Sequence, residues 1–248
     1  MKVALVTGSA RRLGRAIALK LAKEGFFTFV HYRTSQKQAE GVLKTLQAKG
    51  GKGALLQGDL DKPEEIAALV AQIRRNKLRL DVLVNNVGHY KPGPLLKYSP
   101  DDFESVLRVN LSSCFRLIQA VLPLFPKSGG NIINIGYAGV ENLTGTTHNT
   151  AYLISKSGLL ILTKSLAQAL GQRNIRVNMV SPGILSNSVE LPKRPSDFIP
   201  LGRLGKVEDV TAAVAFLCGP EAGYITGVNL DVSGGYHLGL ISLEGDAR

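Results

Sequence analysis

Tyr152 and Lys156 stand four residues apart in the stretch YLISKSGLLILTKSLAQALG, whose apolar spacing predicts a helix. Four residues is about one helical turn, so both side chains share a face. A free phenol has a pKa near ~10 and is a weak acid-base group in either direction at neutral pH. A nearby ammonium favours the phenolate and pulls that value toward neutrality, the condition for moving a proton at an oxygen. An amphipathic surface pair has the same spacing, so these two residues alone fix no reaction.

A second stretch, LVTGSARRLGRA at 5–16, lies between an apolar run and an amphipathic one. In Thr7-Gly8-Ser9-Ala10-Arg11-Arg12-Leu13-Gly14, Gly8 allows a tight turn and Gly14 lets a following helix pack closely. Backbone N–H groups and the helix N-terminus then face a pyrophosphate. An ordinary glycine turn fits two glycines at this spacing equally well. The next strand, ending VHYRTSQ, adds to the evidence. Enzymes that use NAD place an acid there to grip the adenine ribose, whereas this chain has Arg33, Thr34 and Ser35. A cation with hydroxyl donors suits an extra ribose phosphate. Arg12 would reach the same phosphate from the first helix, and the pair reads as a selector for NADP. Arg11 also reads as solvent-facing. Asp59, in GDL after the third strand, suits a hydrogen bond to the adenine amine.

Elements able to position these residues alternate along the chain. Strand-like KVALVT, FFTFVHY, KGALLQ, LDVLVNN, NIINIG, IRVNMVS and GVNLDV are separated by helical patterns. One of these patterns runs unbroken over 101–125, and another is opened by Ser35. Buried apolar strands joined by helices predict an α/β fold: a single Rossmann-type, doubly wound parallel sheet of about seven strands flanked by helices. One catalytic domain spans 1–248. The irregular segment 182–205, rich in Pro, Gly and Ser, predicts a substrate lid at 184–205 or a mobile surface loop.

Composition agrees with a soluble globular chain of 248 residues, 44% hydrophobic and 20% charged. No apolar run reaches the ~18 residues needed to span a bilayer, and MKVALVTG is too short for a signal peptide. A cytoplasmic location is the expectation. Cys114 and Cys218, far apart in apolar segments, predict buried free thiols. No Cys or His spacing suits a metal. The +11 net charge comes from scattered residues. It predicts a solvated surface or an anionic ligand, and neither a nucleic-acid nor a membrane partner. The apolar stretch 222–240 reads mainly as a core strand, with a hint of a subunit contact.

TGSARRLG, GDL, NNVG at 85–88, RVN ending at Asn110, YLISK at 152–156 and RVNMVSPG at 176–183 occur in an order and spacing that resemble the short-chain dehydrogenase/reductase family over nearly the whole chain. The family has glycine where Arg12 stands. That variant and HYRTS resemble its pteridine reductases, while IPLGRLGKVEDV and ITGVNLDVSGGY resemble its 3-oxoacyl carrier-protein reductases. The resemblance implies an NADP-dependent enzyme, assembled as a homotetramer or homodimer, that acts on a small-molecule or carrier-protein-linked substrate. Tyr152 would give a proton to a carbonyl oxygen as NADPH delivers hydride. Lys156 would hold the nicotinamide ribose, and Asn110 would order a water serving the lysine. The implied cofactor contacts are Gly8, Ser9, Arg11, Arg12, Leu13 and Gly14 in the loop, then Tyr32, Arg33, Thr34 and Ser35. Asp59 and Leu60 follow, then Asn85, Asn86, Val87 and Gly88, and finally Pro182, Gly183 and Ile184 with Tyr152 and Lys156. Lys127 and Arg173 correspond to a region where a carrier protein docks.

One family residue is missing. A serine that holds the substrate oxygen ends the fifth strand, but here the slot falls on Tyr137 when aligned by strand and on Gly139 when aligned by distance to Tyr152. Tyr137, or Thr144, Thr146 or Thr147 from the longer loop, would supply a hydroxyl. Otherwise turnover is impaired, and the chain is a cofactor-binding protein. A pteridine C=N reductase is the rival substrate class.

Overall fold

The computed structural model describes residues 1–76 and 79–238. Residues 239 and 240, the end of the stretch read as a possible subunit contact, lie outside them.

Seven strands form one parallel sheet: β1 (Val3–Val6), β2 (Phe27–Tyr32), β3 (Gly53–Gln57), β4 (Val82–Asn85), β5 (Gly130–Ile135), β6 (Ile175–Pro182) and β7 (Asn229–Val232). Their order is β3-β2-β1-β4-β5-β6-β7. β1 is therefore paired on one side with β2 and on the other with β4. The winding reverses between them, and such a sheet opens a ligand crevice there, beyond the carboxyl ends of the strands.

Alternate strand residues supply two cores. On one face Leu5, Phe29, Leu83 and Ile132 pack with residues of α3 (Pro63–Arg75), α5 (Ser113–Val121) and α6 (Thr150–Leu170). On the other, Val6, Val84, Ile133 and Val180 pack with α1 (Arg12–Lys23) and α7 (Val207–Cys218). α2 (Gln36–Ala48) covers a smaller cluster with Val30 and Tyr32. With both faces covered, the strands are apolar without alternation, as their sequence predicts. Cys114 and Cys218 are free and buried, also as expected.

Two local expectations need correction. The helix expected over 101–125 is α4 (Pro100–Leu107), then a π-helical segment Arg108–Ser112, then α5, with a 3₁₀ turn at Leu122–Leu124. Apolar periodicity does not register the one-residue insertion of a π segment. Ser35 occupies the cap position of α2, but its side chain caps nothing.

Candidate active site

A cleft of about 560 Å³ opens beyond the carboxyl ends of β1, β4, β5 and β6, with Gly8, Val87, Gly136 and Pro182 in its wall. Its floor is the glycine loop. Gly8 has φ +61°. A Cβ on Gly14 would lie 2.5 Å from both the Gly8 carbonyl oxygen and Asn86 Nδ2. The loop can therefore fold flat against the sheet only with glycine at these positions. Asn86 ties it down, its amide donating to the Thr7 carbonyl at 2.9 Å. Thr7 Oγ1 in turn accepts the N–H groups of Asn86 and Val87.

Arg11 and Arg12 are exposed and, with Leu13, line the cleft. Arg12 has φ +49°, a left-handed backbone that costs a non-glycine residue roughly 1–2 kcal/mol. This explains the glycine common at this position in the resembling family, and it shows that the guanidinium is held here against a local preference. Ser9 is a correction. Its hydroxyl donates to the Val6 carbonyl at 2.7 Å and accepts the His31 N–H, and its own N–H is given to the His31 carbonyl. It has no donor left for a ligand.

Tyr32, Arg33, Thr34, Ser35, Asp59 and Leu60 lie outside the cleft wall, beyond its β2–β3 end, with Tyr32 and Leu60 buried. Arg33 is exposed, and its guanidinium lies 3.8 Å from the Asp59 carboxylate. Asp59 thus faces a cation of the same chain.

Gly88 and Lys156 line the cleft, and Asn110 lies behind them. A Cβ on Gly88 would lie 3.6 Å from Asn110 Oδ1 and 3.8 Å from Lys156 Nζ. The Asn110 amide makes three hydrogen bonds. It accepts the His89 N–H at 2.7 Å and donates to the His89 carbonyl and to Ser155 Oγ. Its side chain thus ties the π segment Arg108–Ser112 to the turn after β4 and to α6. Asn85 is also corrected: its amide donates across the sheet to Asn134 and does not face the cleft.

Lys156 is 4% exposed and donates to the Ile135 carbonyl at 2.7 Å. Burial pushes its pKa down to about 8, with the Cys114 thiol a smaller opposing influence. Its Nζ lies 5.6 Å from the centre of the Tyr152 ring. The phenol is not drawn toward neutrality as the spacing suggests. Burial raises its pKa well above 10, reinforced by Tyr137 and Tyr90. Desolvation sets the direction of the shift. The phenol stays protonated at neutral pH, the form able to donate.

Tyr137 occupies the slot after β5 and lines the cleft, its ring edge-on to Tyr152 with centroids 5.8 Å apart. Thr144, Thr146 and Thr147 lie outside the cleft wall, and Gly139 carries no group to offer.

This arrangement has known counterparts. The family model described as enoyl-(acyl carrier protein) reductase, a short-chain dehydrogenase/reductase model, matches residues 8–237. The chain belongs to the short-chain dehydrogenase/reductase family. It is 35% identical to the 3-oxoacyl-[acyl-carrier-protein] reductase of Staphylococcus aureus strain Mu50 over 96% of this chain and 98% of that protein. The Haemophilus influenzae protein of the same name is 38% identical over the same shares. Among solved structures, a blue fluorescent protein from a metagenomic library in complex with NADPH superposes with a TM-score of 0.88 at 36% identity, covering 95% of this chain and 98% of that one. A landomycin C-6 ketoreductase with bound NADP and rabelomycin gives 0.87 at 32%, covering 96% and 97%.

Within this short-chain dehydrogenase/reductase, Pro182, Gly183 and Ile184 line the far wall of the cleft, and Leu185, Asn187, Ser188, Val189 and Glu190 continue it. The segment expected as a lid thus begins at the site. Sequence reasoning missed three of its neighbours. The Tyr90 hydroxyl donates to Glu190 at 3.0 Å, and the Tyr90 ring sits edge-on to Tyr152 at 5.1 Å. Tyr236 lines the cleft beside His237. No motif marks Tyr90 or His237, and the motif that ends at Tyr236 does not point to this site; only the return of the chain after β7 brings the last two here. Lys127 and Arg173 precede β5 and β6, at the opposite end of the sheet from the cleft.

Proposed function

We propose that the protein is an NADPH-dependent carbonyl reductase whose proton donor is Tyr152. The observation that supports this most is the shared cleft: the glycine loop with its arginines, the protonated Tyr152 and the buried Lys156 all line it. The residues present fit a dinucleotide phosphate. The loop is flat where a Cβ would block it, and it presents the guanidiniums of Arg11 and Arg12 to the cleft. Arg12 and Arg33 would hold the ribose phosphate, and Gly8, Leu13 and Gly14 the pyrophosphate. Gly88 would admit the adenosine side, Gly183 and Ile184 the nicotinamide, and Lys156 the nicotinamide ribose. Bound there, NADPH would supply the hydride that reduces the carbonyl carbon.

The chain's own part is the proton. Tyr152 keeps its phenolic proton in a desolvated setting and gives it to the carbonyl oxygen as the alcohol forms. The charged Lys156 steadies the phenolate left behind until solvent reprotonates it. The segment 184–205, joined to the cleft through Tyr90 and Glu190, excludes water as a lid. The substrate we propose is a 3-oxoacyl thioester or similar ketone, supported by the names of the relatives. The outward Phe115 of α5 and Ile154 and Ile161 of α6 are exposed apolar groups, which supports assembly as a homodimer or homotetramer.

The test is a titration with NADPH and NADH followed by fluorescence, with turnover on acetoacetyl thioester and on dihydrobiopterin. Tighter binding of NADPH and reduction of the thioester are expected. Preference for NADH overturns the role of the arginines. Faster reduction of dihydrobiopterin makes the protein a pteridine reductase, and cofactor binding with no turnover across a carbonyl panel leaves a cofactor-binding protein.

A further inference from the structure

The corner of the cleft after β5 holds a hydrogen bond that this reaction has not yet used. The Tyr137 hydroxyl and His237 Nε2 lie 2.8 Å apart, joining residues a hundred positions distant in the chain. Several features hold the imidazole there. A Cβ on Gly139 would fall 2.7 Å from the His237 ring, so glycine at 139 leaves room for it. The Gly139 N–H is itself fixed on Asp231 Oδ2 at 3.0 Å. The Asn142 amide donates to the His237 carbonyl at 3.1 Å. Tyr236 packs on the imidazole with centroids 3.9 Å apart. His237 has φ +73°, a left-handed backbone that a histidine keeps only where its surroundings enforce it.

We infer that His237 is a positioning residue for the Tyr137 hydroxyl, and that Tyr137, so held, binds the substrate's carbonyl oxygen in place of the family's serine. The inference rests on the carbonyl reduction proposed above. A hydroxyl has one hydrogen and two lone pairs. With the proton on His237 Nε2, the imidazole donates to the phenolic oxygen and leaves the Tyr137 hydrogen free for the carbonyl. With Nε2 bare, Tyr137 donates to it and presents only lone pairs, which repel a carbonyl oxygen. The productive arrangement is therefore Nε2–H. In it two phenols converge on one oxygen: Tyr137 holds it and Tyr152 protonates it.

The test is a double-mutant cycle on acetoacetyl thioester with Tyr137→Phe, His237→Phe and both together, and with Tyr152→Phe as control. His237→Phe keeps a flat ring against Gly139 and removes only the nitrogens. NADPH affinity and thermal midpoint are read for every variant, and neither is expected to change in the Tyr137 and His237 variants. Tyr137→Phe is expected to lower kcat about a hundredfold, the effect of losing an oxyanion donor. His237→Phe is expected to lower it about tenfold. That loss should vanish in the Tyr137→Phe background, because the imidazole acts through the phenol. His237→Gln, which offers an amide N–H, is expected to recover part of it. Equal loss from His237→Phe in both backgrounds, or none in either, overturns the inference. So does wild-type kcat in Tyr137→Phe alongside an inactive Tyr152→Phe. Full turnover by Tyr152→Phe instead overturns the carbonyl-reduction proposal itself.

Discussion

Arg12 shows most clearly how a single residue is held against its own preference. Its backbone sits at φ +49°, where glycine is at ease and arginine is not. Arg12→Gly is expected to leave the fold intact or raise its stability by about 1 kcal/mol. NADPH affinity should fall on the order of tenfold through loss of a charge-assisted hydrogen bond, with NADH affinity unchanged. Thermal melting and fluorescence titration check both outcomes. Lys156 gives a second prediction at this scale. Its pKa is depressed to about 8 by burial, whereas that of Tyr152 is raised. The lysine, not the tyrosine, therefore loses its proton first as pH rises. In the free enzyme kcat/KM should fall as pH rises through about 8, and a pH–rate profile reads this limb. Motif spacing singled out Tyr152, Lys156, Gly8, Gly14 and Arg12, and all five line one cleft. The direction of the Tyr152 shift was not legible in the sequence, because spacing reports the neighbouring charge and says nothing of desolvation. Ser9 and Asn85 were misread for a similar reason. Both stand in the motifs, but their polar groups are used by the backbone and by a neighbouring strand.

At the scale of elements, the glycine loop depends on a histidine in β2. His31 is buried. Its Nδ1 accepts the Gly8 N–H at 3.0 Å, so Nε2 carries the hydrogen given to the Gly58 carbonyl at 3.0 Å. One neutral imidazole thus joins the turn after β1 to the turn after β3. Burial lowers its pKa to about 4, against smaller opposing effects of the Gly58 carbonyl and Asp59. The unfolded chain takes up this proton near pH 6.5 and the folded chain does not until about pH 4. Stability is therefore full above pH 6.5 and declines as pH falls toward 4, by on the order of 3 kcal/mol. Thermal melts of the wild type and His31→Gln across this range check it; the variant is expected to start less stable and to lose less on acidification. All seven strands were legible from apolar runs between turns, since a sheet covered on both faces demands them. The π segment at Arg108–Ser112 was not, because one inserted residue leaves the apolar pattern of 101–125 intact.

At the scale of the whole molecule, three regions far apart in sequence close on one cleft: the loop after β1, the segment after β6 and the return of the chain after β7. Family order and spacing announced the first two. The third was hidden, because nothing in SGGYHL signals that Tyr236 and His237 turn back toward Tyr137. Apolar residues left on the outer faces of α5 and α6 add a prediction. Ile161→Glu, at a side chain 65% exposed, is expected to shift the protein toward the single chain in sedimentation velocity without lowering its thermal midpoint sharply. The account as a whole turns on a proton from Tyr152 meeting a carbonyl as it is reduced. The most direct measurement is the rate of NADPH consumption with acetoacetyl thioester by the wild type and by Tyr152→Phe, each saturated with NADPH. A loss of at least about a hundredfold at saturating NADPH is the expected result. Undiminished consumption by the phenylalanine variant would contradict the account.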